Sequence, residues 1–154
     1  MARDSQVSKA YAASHRMYGK HPELKLASLE ECQLFITKVV MSRRWASYLK
    51  EWNVPTHNVM PPTVEPKRHG SAVAWRFSNT IDLPKWAWHK SIILHELSHF
   101  MPRPRGEGAH GRSFCRWHIR LTLDFLGPVL GKELRDDYKA AGAKRTFPRR
   151  RRVG

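Results

Sequence analysis

The sequence predicts an α+β domain in which helices surround a small antiparallel sheet. Two observations carry this. Apolar residues recur at helical spacing up to about residue 52 and again from about residue 84 to 141. Between these blocks lies a proline-punctuated stretch, residues 53–85, whose pattern changes to strand-like alternation. The chain has 154 residues, 41% hydrophobic residues and six tryptophans, which suits one domain with one sizeable core. There is no internal repeat.

The elements follow in order. A first helix is expected from about Ser5 to Gly19. The second opens at Ser28, where "SLEE" is a capping-box signal, Ser followed by Glu three residues on. Leu29, Cys32, Ile36, Val39 and Val40 then fall on one face, and Trp45, Leu49 and Trp52 continue the apolar supply. Pro55, Pro61, Pro62 and Pro66 exclude a helix. "SAVAWRFS" sets Val73, Trp75 and Phe77 against Ala72, Ala74 and Arg76 and reads as a strand. "NTIDLP" and "TVE" at Thr63 supply two more, with "KRHG" as a turn. A helix is expected from about Pro84 to Met101, with Asp82 as N-cap and Pro102 as the stop. "PRPRGEGAHG" is a loop. A helix from about Arg112 to Leu126 turns Phe114, Trp117, Leu121 and Phe125 inward. Gly127 and Pro128 punctuate, and a last helix runs from about Val129 to Ala141. Residues 1–143 make the single domain; residues 144–154 are a basic tail, expected to be flexible when alone.

A formal charge of +15 implies a polyanionic partner, most often nucleic acid. Four adjacent arginines, Arg149, Arg150, Arg151 and Arg152, with Lys144 and Arg145 before them, would contact phosphates without base preference. Cys32 and Cys115 are too few for a disulfide scaffold, which points to a reduced, cytoplasmic compartment. The N-terminal stretch shows no secretory h-region. No run approaches the roughly 18 apolar residues of a membrane span.

The chemistry sits in "SIILHELSHF", residues 91–100. His95 and His99 lie four apart and so share one helix face. Two imidazoles placed this way can bind one metal ion, and Glu96, rotated by about 100°, can lean over the ion without ligating it. This is the His-Glu-x-x-His arrangement of zinc hydrolases. A chance match in this composition is expected in about 3% of sequences. A glutamate in an apolar helix is costly unless it is paired or performs chemistry. Catalytic zinc has three protein ligands, and Glu107, His110, Cys115 and His118 are near enough to be considered. His110 is the preferred third ligand, because it stands among glycines just before the next helix. His118 falls on an apolar face and reads as a core histidine or one that supports a ligand. Cys115 reads as a small core residue, Glu107 as a carboxylate that orients a ligand histidine. Tyr138 is weighed as an oxyanion stabiliser against a packing role.

"LHELSH" followed by "AHGRSFCRW" resembles the core of the SprT-like (Spartan) metalloproteases, over about residues 80–127. The whole chain also resembles a small family of metallohydrolases from actinobacteria and their phages, through "RDSQVSKAYAA", "CQLFITKVV", "IDLPKWAWHKSIILHELSHF", "AHGRSF", "LGP" and "LRDDYKAAG". The resemblance implies a minimal zincin-like fold, with the active-site helix packed on the helix that follows. It implies Zn2+ on His95, His99 and His110, Glu96 as catalytic acid/base, and cleavage of a protein substrate near nucleic acid. The cysteine-rich zinc ribbon of SprT-like proteins is missing, so nucleic-acid contacts fall to basic residues. "TIDL", residues 80–83, is the strand expected to pair with an extended substrate. The rival expectation is a nucleic-acid- or ribosome-binding protein whose zinc is structural.

Overall fold

The computed structural model describes residues 6–57 and 59–144. Among these the elements run α1 (Val7–Lys20), α2 (Leu29–Val40), α3 (Arg43–Glu51), β1 (Thr63–Lys67), β2 (Val73–Trp75), β3 (Thr80–Pro84), α4 (Lys90–Ser98), α5 (Arg112–Leu126) and α6 (Pro128–Ala140). The expected capping box holds α2. The Glu31 N–H donates to Ser28 Oγ at 3.1 Å, and the Glu31 carboxylate reaches back to the Ala27 N–H at 2.7 Å. Ser42 closes α2 and opens α3 at once, donating to the Val39 carbonyl at 2.6 Å and accepting from the Trp45 N–H at 3.1 Å.

The sheet is mixed, not antiparallel as the sequence suggested. Its order is β1-β3-β2. β1 runs parallel to β3, from Thr63 opposite Thr80 to Lys67 opposite Pro84. β2 runs antiparallel to β3, with Ala74 opposite Ile81. Burial explains the order. Ile81 and Leu83 are almost wholly buried, so β3 belongs at the centre; β2 buries no residue fully, Trp75 is exposed and Phe77 beyond it is fully so. "TIDL" is therefore the central strand, paired on both sides, and not a free edge. The edge beside the histidine helix is β2.

α4 also begins later than expected. β3 runs through Pro84, Lys85–Ala87 form a short 3-10 turn, and α4 starts at Lys90. Its cap is His89, not Asp82. The His89 Nδ1 accepts from the Ser91 N–H at 3.2 Å, and its Nε2 donates to the His21 carbonyl at 2.9 Å. Asp82 accepts instead from the Trp75 indole N–H across the β2–β3 pair, at 2.7 Å.

Two packed clusters flank α4. The larger gathers Ile36 and Val39 of α2, Trp45 and Leu49 of α3, Val64, Ile81 and Leu83 of the sheet, Ile93 and Leu97 of α4, and Trp117 and Leu121 of α5. The smaller joins Ala10, Ala13 and Met17 of α1 to Phe114, Cys115 and Ile119 of α5 and to Leu134 and Tyr138 of α6. Gly131 sets the α5–α6 crossing, since a Cβ there would stand 2.8 Å from the Leu123 Cα. Cys32 and Cys115 are free thiols in these interiors. Among the described residues no helix is long and apolar enough to cross a membrane.

Candidate metal centre

α4 is buried on every side from Ser91 to Ser98. A helix so enclosed must satisfy its polar side chains inside the protein. Ser98 donates to the Leu94 carbonyl at 2.6 Å. His95 Nδ1 meets Ser14 Oγ of α1 at 2.7 Å. His95 Nε2, also buried, has no hydrogen-bond partner. It faces a space shared with His99 and His110. One nitrogen from each of the three histidines lies within 4.8 Å of the others. The trio could hold a metal ion. A buried nitrogen with no hydrogen-bond partner, set among imidazoles, fits a metal ligand.

Aromatic rings enclose this space. The Phe114 ring lies 4.8 Å from His95, 4.6 Å from His99 and 4.8 Å from His110, centroid to centroid. Tyr11 stacks on His95 at 5.3 Å and approaches His110 at 5.5 Å. His110 is positioned through its own loop. Its carbonyl accepts from Gln6 Nε2 at 3.0 Å. The next residue, Gly111, lies against the Glu107 side chain, where a Cβ would stand 2.5 Å from Glu107 Cγ. That contact lets Glu107 cap α5, accepting from the Ser113 N–H at 2.6 Å and the Ser113 hydroxyl at 2.8 Å.

Burial keeps the two α4 histidines of the trio neutral. Burial, reinforced by His118, His99 and His110, pushes the His95 pKa well below the usual histidine range. Burial, with His110 and Arg103 nearby, lowers His99 to about 3. A neutral imidazole has the lone pair that a metal needs. Burial pushes Glu96 up to about 8, while the Ala74 N–H of β2 and the more distant Lys67 pull the other way. The Glu96 Oε1 stands 3.9 Å from His95 Nε2. His95 is uncharged, so this approach is a placement of the carboxyl group beside the trio and not an ion pair.

His118 lies 5.5 Å from His95, ring to ring, yet both its nitrogens are committed. Nε2 donates to the Ser91 carbonyl at 3.3 Å and Nδ1 accepts from the Tyr138 hydroxyl at 2.8 Å. Tyr138 is fully buried in the smaller cluster and spends its hydroxyl on that bond, which is the packing role. Cys115 is likewise a core residue.

A cleft of about 270 Å³ opens on Glu96, His99 and His110, walled by β2 and by Arg76 and Arg103. Sequence reading missed Ser14, Tyr11 and these arginines. Ser14 did leave a signal, being a polar residue on the buried face with Ala10, Ala13 and Met17. Of the proposed phosphate contacts, Lys144 is described and exposed, with its N–H donating to Gln6 Oε1. Arg145, Arg149, Arg150, Arg151 and Arg152 lie outside the described residues. No family model, no curated protein and no solved structure matches the chain.

Proposed function

We propose that the chain is a zinc-dependent hydrolase of the metallopeptidase type, acting on a protein near nucleic acid in a reduced, cytoplasmic setting. One observation carries the reading: a largely enclosed trio of histidines, His95, His99 and His110, with the Glu96 carboxyl group placed beside it. His95, His99 and His110 would suit zinc; when bound, it would lower the pKa of water and polarise a carbonyl. Four protein ligands would mark a structural site, and the described residues supply three. The SprT-like resemblance supports the same assignment.

The chain's own residues divide the work. Ser14 fixes the His95 ring. Phe114 and Tyr11 exclude bulk water from the ligands. The edge strand β2 offers backbone groups to an extended peptide. Glu96, held by the Ala74 N–H and ionised by the positive charge that a bound metal ion would bring, takes a proton from the attacking water. The water oxygen joins the carbonyl carbon, the C–N bond breaks, and the proton carried by Glu96 passes to the leaving nitrogen.

The test is a set of variants. Purified protein should carry one zinc per chain by elemental analysis. His110→Ala should lose it and His118→Ala should retain it; the reverse would overturn the ligand assignment. Glu96→Gln should keep zinc and fold but lose cleavage of an unstructured protein. Cleavage that persists in Glu96→Gln, or none by zinc-loaded wild type with DNA or RNA supplied, would count against the hydrolase. The second result, with nucleic-acid binding intact, would favour the binding protein with structural zinc, to which the charge of +15 also points.

A further inference from the structure

Arg76 follows the edge strand β2, and Arg103 follows α4. Both line the cleft that opens on Glu96, His99 and His110. They share this one cleft, and there the charge of Arg103 adds to partial burial in lowering the Arg76 pKa, while both charges act on His99. Among the described residues neither guanidinium group has an ion pair or a hydrogen bond. This contrasts with Arg16, Arg44 and Arg120, whose guanidinium groups lie 3.9, 4.0 and 3.2 Å from carboxylates. Two like charges brought together in a half-enclosed cleft repel, and that repulsion is relieved by an anion bound between them.

We propose that Arg76 and Arg103 form an anion subsite of the cleft, so that the peptide segment occupying it carries an acidic side chain, Asp or Glu. The proposal rests on the hydrolase reading and names its substrate class. A peptide carboxylate fits better than a nucleic-acid phosphate for two reasons. Arg76 also borders an apolar groove of about 420 Å³ lined by Val40, Leu49, Val59 and Phe100, which suits an aliphatic or aromatic side chain and not a sugar. The β2 edge beside it offers the main-chain pairing that an extended peptide uses. Guanidinium groups pair carboxylates bidentately, so the acidic residue gains geometric as well as charge selection.

The subsite is read by binding, apart from turnover. Zinc-loaded Glu96→Gln protein is titrated with short extended fluorescent peptides that differ only in Glu, Gln or Lys at one central position next to Phe. The Glu peptide should bind about tenfold more tightly than the Gln peptide. That preference should vanish when Arg76→Gln and Arg103→Gln are added, with an unchanged melting temperature. Equal affinity for Glu and Gln peptides, or no binding of any of them, overturns the subsite. So does an oligothymidylate that displaces the Glu peptide and itself loses affinity with the two arginine substitutions, since the site would then belong to phosphate. Wild-type protein is incubated with the same peptides. An acid preference in binding with no cleavage sinks the hydrolase and keeps the subsite; cleavage without acid preference does the opposite.

Discussion

The two clusters that flank α4 are built on different chemistry. The larger, under α2, α3 and the sheet, is made of aliphatic side chains and tryptophans that need little beyond each other. The smaller, between α1, α5 and α6, is thin in carbon, with alanines on α1 and a close crossing at Gly131. It is threaded by polar bonds: Ser14 to His95, His118 to Tyr138, Gln6 to the His110 carbonyl. Apolar burial is roughly proportional to area and tolerant of direction, whereas hydrogen bonds hold only in one register. The larger cluster is thus the source of stability and the smaller one the source of precision at the histidine trio. The histidines stand on the seam, His95 and His99 on α4 and His110 at the entrance to α5.

The largest expected effect breaks the larger cluster. Leu97, fully buried in α4, cut to Ala should cost about 2–5 kcal/mol in urea unfolding, by lost transfer energy and the cavity left behind. A loss below about 1 kcal/mol would deny that cluster its role. The smaller cluster should respond in kind more than in amount. Tyr138→Phe keeps the ring and removes the hydroxyl that His118 Nδ1 accepts from. The unsatisfied nitrogen should cost about 1–3 kcal/mol, and zinc affinity should fall with it because His118 packs against His95. Full stability with full affinity would show that the polar bonds set no register.

The finest test uses pH on metal-free protein. Burial lowers His118 to about 3, and the unfolded value is near 6.5. Between those values the unfolded chain binds the extra proton, so this contribution to stability is present above about pH 6.5 and is lost as pH falls toward 3. Glu96 acts in the other direction. Its folded value near 8 lies above the ordinary 4.5, so the folded chain holds a proton that the unfolded chain releases. Stability should fall as pH rises from 4.5 to 8. Thermal melts should therefore show an acid-side loss in both wild type and Glu96→Gln, and a steeper alkaline-side loss in wild type than in Glu96→Gln, because His21 and Asp124, also raised, titrate in both. Matching alkaline limbs would remove Glu96 from the buried position assigned to it.

Much of this was legible from the chain. The i, i+4 spacing of His95 and His99 and the glycines around His110 pointed to the histidine trio that could hold a metal ion, because spacing on a helix is local information. The α2 cap at Ser28 and Glu31 is equally local. The strand order was not legible. Three short strands can pair in several ways, and what decides is that Ile81 and Leu83 bury completely while β2 does not. The start of α4 was hidden because its cap is an imidazole whose other nitrogen bonds a carbonyl at His21. Asp82, the better cap by type, was taken by the Trp75 indole. Arg76 and Arg103 line one cleft only because β2 and the end of α4 adjoin.

The seam has one more consequence. An ion held by His95, His99 and His110 ties the end of α4 to the loop that launches α5, and it binds only when both are in place. Occupancy at about a hundredfold above the dissociation constant would add about 2.7 kcal/mol to the folded state. For a marginally stable domain that is a change in lifetime and not only in activity. The abundance of such a protein in a cell would track the supply of its metal, so starvation would remove the protein by proteolysis as well as its turnover.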